Sequence, residues 1–141
     1  MLWDAQSGQA IRGPYQGDAS TFPVFLPDGS ALLVGRSWYY DVGWSETRID
    51  LWDYEQGEFA PVFESPTIES DGLMADLAIS PDGKLLAAVL ANPLDEIGAK
   101  YSQVIVWELV TGSQRCAFLG DKTIAFDPTG EIVAVIYNRD L

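Results

Sequence analysis

Leu77-Ala78-Ile79-Ser80-Pro81-Asp82-Gly83-Lys84-Leu85-Leu86-Ala87-Ala88-Val89 is the stretch that decides the fold. A Pro-Asp-Gly turn separates two apolar segments. Proline presets φ, aspartate bonds the local backbone, and glycine admits positive φ. The apolar run after the turn has no polar face, which predicts a strand buried on both sides. The same unit occurs at Pro27-Asp28-Gly29 and at Pro128-Thr129-Gly130. A large apolar residue stands two positions before each proline, as Phe25, Ile79 and Phe126. Ala31-Leu32-Leu33-Val34 and Ile132-Val133-Ala134-Val135-Ile136 follow the other two turns. Each unit reads as two strands joined by a tight turn.

A third strand recurs downstream. It is Leu2-Trp3-Asp4, then Ile49-Asp50-Leu51-Trp52-Asp53, then Val104-Ile105-Val106-Trp107-Glu108. Gly8, Gly57 and Gly112 each stand five residues after the tryptophan, placing a second turn at a fixed offset. A weaker fourth strand follows, over about 9–12, 58–63 and 114–119. The Trp-to-Trp periods are 49 and 55 residues. Four strands per period predict flat sheets packed face to face around an axis.

Trp3-Asp4, Trp52-Asp53, the variant Trp107-Glu108 and the in-phase Pro-Asp-Gly turns resemble WD40 repeats. The resemblance covers nearly the whole chain. It implies an all-β fold of β-propeller blades, each of four antiparallel strands labelled a to d from the axis outward. It implies repeat-defining positions at Trp3, Asp4, Trp52, Asp53, Trp107, Pro27, Gly29, Pro81, Gly83, Pro128 and Gly130. Trp3, Trp52 and Trp107, with Phe25, Ile79 and Phe126, are expected to pack between blades. The chain has no histidine, so the Gly-His step of the family is missing and its His-dependent hydrogen-bond network cannot form in that version. This marks a divergent member.

The expected organisation is one partial propeller over residues 1–141. Strands c and d occupy 1–13, full blades 22–63 and 75–119, and strands a and b 122–138. That is about three blades' worth, whereas closed propellers use roughly four to eight. Two readings follow. The favoured one is a part of a longer propeller, because Met1 falls inside the Trp-Asp strand. In the other, chains assemble head to tail, the last two strands of one completing a blade with the first two of another, so that two chains close a six-bladed ring.

The connections between strands b and c and between d and a lie on one face, and that face carries the surplus length, at 36–48, 91–102 and 64–76. Insertions in repeat folds map to one face, often the binding face. Trp38, Tyr39, Tyr40, Asp41 and Trp44 form an aromatic-rich insertion suited to anchoring a protein or peptide; an extended b–c hairpin with the rings packed across its own strands is the structural alternative. Asp95, Glu96 and Tyr101 belong to the second insertion. Glu64, Glu69, Asp71 and Asp76 add negative charge that suits a basic partner.

Lys and Arg number 8 against 21 Asp and Glu, a net charge of -13. Such a field repels phosphate backbones and anionic lipid surfaces, so neither nucleic acid nor membrane is an expected partner. The longest wholly apolar stretch, Leu85–Ala91, is too short to span a bilayer. No signal peptide is visible, which makes a cytoplasmic location the default. Cys116 is the single cysteine; it excludes an internal disulfide and reads as a small strand filler. Without histidine there is no Ser-His-Asp set and no imidazole metal ligand. Nucleophile-elbow, phosphate-loop and calcium-loop motifs are missing too. No catalytic residue, metal or cofactor is expected. The leading expectation is a non-catalytic protein-interaction scaffold; the alternatives are the propeller of a hydrolase or peptidase, or a fragment without independent function.

Overall fold

The computed structural model describes residues 1–12, 20–39, 45–61, 73–91 and 102–136. They hold twelve strands: β1 (Leu2–Trp3), β2 (Ala10–Arg12), β3 (Ser20–Phe25), β4 (Leu32–Tyr39), β5 (Ser45–Asp53), β6 (Glu58–Pro61), β7 (Leu73–Ile79), β8 (Leu85–Ala91), β9 (Ser102–Glu108), β10 (Gln114–Leu119), β11 (Asp121–Phe126) and β12 (Val133–Ile136). The strands form four antiparallel sheets, β1-β2, β3-β4-β5-β6, β7-β8-β9-β10 and β11-β12. Two four-stranded sheets are thus flanked by two half sheets, the all-β class that the repeat predicts. Within each sheet every strand pairs with the next in sequence, so antiparallel hairpins suffice there. Among the described residues no helix is long and apolar enough to cross a membrane.

Two hairpin types alternate, and each is written in local chemistry. At the Pro-Asp-Gly turns, the carbonyls of Leu26, Ser80 and Asp127 accept from the amides of Gly29, Gly83 and Gly130 at 2.9–3.0 Å. Gly83 sits at φ 72°, a left-handed conformation that a Cβ would strain. Asp82 accepts from the Ser80 hydroxyl at 2.7 Å and from the Lys84 amide at 3.1 Å, which fastens the turn. Successive turns also touch. A Cβ on Gly83 would lie 3.6 Å from Pro27 Cδ, and one on Gly130 would lie 3.4 Å from Pro81 Cδ. The turns therefore stack from sheet to sheet.

At the second hairpin the carbonyls of Asp4, Asp53 and Glu108 accept from the amides of Gly8, Gly57 and Gly112. The acidic residue after each tryptophan also ties its own loop. Asp4 Oδ1 accepts from the amides of Gln6 and Ser7, and Asp53 Oδ1 from those of Glu55 and Gln56. Glu108, with a longer arm, accepts instead from Thr111 Oγ1 and Arg115, both at 2.9 Å. The second residue of the Trp-Asp pair is thus a turn-capping device.

The core lies between sheets. β7 packs on β3, β4 and β5, and β11 packs on β7, β8 and β9. Leu33, Ile49, Met74, Leu77, Leu86, Ala88, Leu90, Ile105 and Trp107 fill the first junction. Ala87, Val89, Val104, Val106 and Ile124 fill the second. Residues 86–90 and 31–34 are buried, as the polar-free runs predict. β12 departs from that prediction: Val133 and Val135 are half-buried while Ala134 and Ile136 are exposed. One face of β12 meets the β7–β10 sheet, and no sheet among the described residues covers the other.

The same cause separates the three tryptophans. Trp107 and Trp52 are 4% and 8% exposed between sheets, whereas Trp3 is 57% exposed. The expectation that all three pack between sheets therefore fails at Trp3, whose ring no sheet among the described residues covers. Ile79 and Phe126 are half-buried in the junctions. Phe25 is exposed and makes an edge-on contact with Tyr54, ring centroids 6.2 Å apart.

Candidate interaction surfaces

The b–c hairpin comes first, because it carries the aromatic insertion. β4 and β5 pair without a break from Leu32 opposite Trp52 to Tyr39 opposite Ser45. Much of the expected insertion is therefore strand, which follows from its β-branched and aromatic content. Trp38 is half-buried on β4, and the Arg36 guanidinium lies 5.1 Å from its ring centroid. Tyr39 continues the strand. Tyr40, Asp41, Trp44, Asp95, Glu96 and Tyr101 lie outside the described residues, as do Glu64, Glu69 and Asp71.

Strand alternation sets what lies beneath Trp38. Val34, Arg36 and Trp38 share one face of β4, and Arg48, Asp50 and Trp52 share the same face of β5. Arg36 is ion-paired to Asp50, which is 2% exposed, and Arg48 Nη2 lies 3.7 Å from the other carboxylate oxygen. A buried carboxylate is tolerated only with such cationic partners. On the opposite face Ser37 Oγ and Thr47 Oγ1 are 2.9 Å apart, and the Met74 amide donates to Ser37 Oγ at 2.9 Å. The root of the hairpin is thus held from both sides, and the Arg36–Trp38 stack rises from a fixed base. Reading the insertion as a loop missed this Arg36–Asp50 pair. Its signal was a lone arginine between Val34 and Trp38 in one column of β4, with Asp50 in the column that register sets beside it.

Asp76 is a correction. Its expected role was a free negative charge on the loop face. It stands on β7 instead, where Oδ2 accepts from Thr123 Oγ1 at 2.8 Å and from the Ile124 amide at 3.0 Å, and Oδ1 accepts from the Leu77 amide at 2.9 Å. It clamps β11 onto β7.

A second surface was not foreseen. A cleft of about 610 Å³ opens beside the β11-β12 half sheet. Val106, Cys116, Phe118, Phe126 and Val133 supply its apolar lining, and Lys84, Glu108 and Arg115 contribute charge. Four strands face two here, and β11 reaches β7, β8 and β9, so the outer strand β10 has no facing strand among the described residues. Every residue of β10 is accordingly exposed. Cys116 lies in a strand as expected but is exposed rather than filling a core. Thr111 and Arg115 hold the Glu108 carboxyl below its ordinary range by hydrogen bonds and charge.

Among the described residues neither surface arranges a nucleophile beside a base. Among the described residues no three His, Cys, Asp or Glu side chains gather as metal ligands would. The chain matches no family model and no curated protein.

Proposed function

We propose that this chain is a non-catalytic interaction scaffold of the WD40 type, docking a protein or peptide through the face that bears the b–c and d–a connections. The observation that carries this reading is the Arg36–Trp38 stack at the end of a hairpin whose root is locked by Asp50, Ser37 and Thr47. Aromatic side chains give large contact area at low entropy cost, and aromatic and arginine side chains dominate interface energetics. The net charge of -13 favours a basic partner.

The test is binding to a panel of immobilised peptides graded in net charge. Preference for basic peptides, weakened by salt, is expected. Replacing Trp38, Tyr40 and Trp44 with alanine should abolish that binding and leave the circular dichroism unchanged. Undiminished binding by the folded variant would sink the proposed face.

A further inference from the structure

The two half sheets are complementary parts of one unit. β11-β12 supplies strands a and b, and β1-β2 supplies strands c and d. In both complete sheets strand c pairs with strand b in one register: Leu32 faces Trp52, and Leu86 faces Trp107. Each leucine is three residues past the turn glycine. The residue three past Gly130 is Val133, so a strand c added to β12 places its tryptophan opposite Val133 and its preceding residue opposite Ala134.

Packing points to the same join. Trp107 lies in a cluster with Leu51, the residue before the tryptophan of the preceding sheet. Trp52 lies in a cluster with Leu2, which again precedes a tryptophan. By that rule Trp3 belongs against Val106, and Val106 lines the cleft. Leu2 packs on its own neighbouring sheet, so alternation turns Trp3 away from it, towards the face that no described sheet covers. Among the described residues no hairpin fills the cleft, and no sheet covers the Trp3 face of β1. Among the described residues β1 pairs only with β2, and β12 only with β11.

We infer that the cleft binds a second copy of this chain: β1 of one copy pairs with β12 of the other, Trp3 opposite Val133, and the Trp3 indole enters the cleft beside Val106. Exposed strand edges favour such pairing. The inference is independent of the docking face proposed above. Because each copy carries -13 charges, association tightens as salt rises, opposite to binding of a basic peptide.

Light scattering on a size-exclusion column, from micromolar to several hundred micromolar chain, measures the assembly. A mass that is a multiple of 15.5 kDa is expected. Trp3→Ala should weaken association at least thirty-fold, roughly what loss of an interface anchor brings. Trp3 is exposed in the single chain, so the variant's circular dichroism should stay unchanged. Register is read in a Cys116→Ser background carrying Leu2→Cys and Ala134→Cys, which should oxidise to an inter-chain disulfide. Leu2→Cys with Ala125→Cys, one strand further in, lies too far to bridge. A monomer at all concentrations would overturn the inference. So would an oligomer indifferent to Trp3→Ala, or one in which the Ala134 pair bridges no better than the Ala125 pair.

Discussion

Gly120 is the single residue between β10 and β11, and it limits how closely the last half sheet approaches its neighbour. A Cβ there would lie 2.6 Å from Val104 Cγ2, and 3.2 and 3.3 Å from Val135 Cγ2 and Cβ. Carbon atoms prefer about 3.5–4.0 Å, so the Val104 methyl must retreat by roughly 1 Å. It has little room, since Val104 is 0% exposed and β-branched, with χ1 set by packing. Overpacking of this kind costs about 1–3 kcal/mol. With one contact under 3.0 Å and a second valine close behind, Gly120→Ala is expected at about 2–3 kcal/mol. Val104→Ala alone removes two methyl groups at about 0.8 kcal/mol each and leaves a small cavity, about 2 kcal/mol together. In the double variant the new methyl occupies space that valine vacated, so its loss should fall short of the sum by about 2 kcal/mol. Urea unfolding of the four proteins, followed by far-ultraviolet circular dichroism, measures the cycle. Gly120→Ala within about 0.5 kcal/mol of the parent, or an additive cycle, would refute the reasoning: the connection would then be free to shift, and Gly120 would not set the approach of the two sheets.

Two further predictions concern carboxylates. Asp76→Ala strands the Ile124 amide, which is buried, and should cost about 1–3 kcal/mol, with faster hydrogen exchange at that amide. Unchanged exchange at Ile124 would show that Asp76 is not the clamp. The turn carboxyls should make the fold acid-sensitive. Hydrogen bonds from Ser80 and from Thr129, ahead of their other donors, lower the Asp82 and Asp127 carboxyls from 3.8 to about 2. A carboxyl lowered in the folded state stabilises above its unfolded pKa, and that contribution is lost as pH falls through the folded value. Melting temperature should therefore drop between about pH 4 and pH 2, and less so for Asp82→Asn than for the parent; equal slopes for the two proteins would contradict the assignment.

Which parts were legible in the sequence follows from the range of the interactions. Each hairpin at a Pro-Asp-Gly or Trp-Asp turn is closed by residues within five positions of one another, such as Ser80, Asp82, Gly83 and Leu85. Turn chemistry and an apolar run of strand length therefore sufficed to place twelve strands and four sheets. The same short range explains why the two tight turns recur with one geometry, to which distant contacts such as Tyr54 Oη on the Gly29 carbonyl are added.

Only the tertiary structure decided how each repeat is used. Trp3, Trp52 and Trp107 are alike in sequence, yet one is exposed and two are buried, because burial depends on whether a neighbouring sheet is present. Asp76 reads as a loop charge but clamps β11, and Arg36 and Asp50 read as unrelated until two strands set them side by side. The cleft at Val106 likewise has no sequence signal, for it arises where four strands meet two. Periodicity and turn residues alone determined the strands, their order and their turns. The occupancy of each sheet face is a property of the packed assembly, since apolar surface is buried by whatever lies against it and not by the residue that carries it.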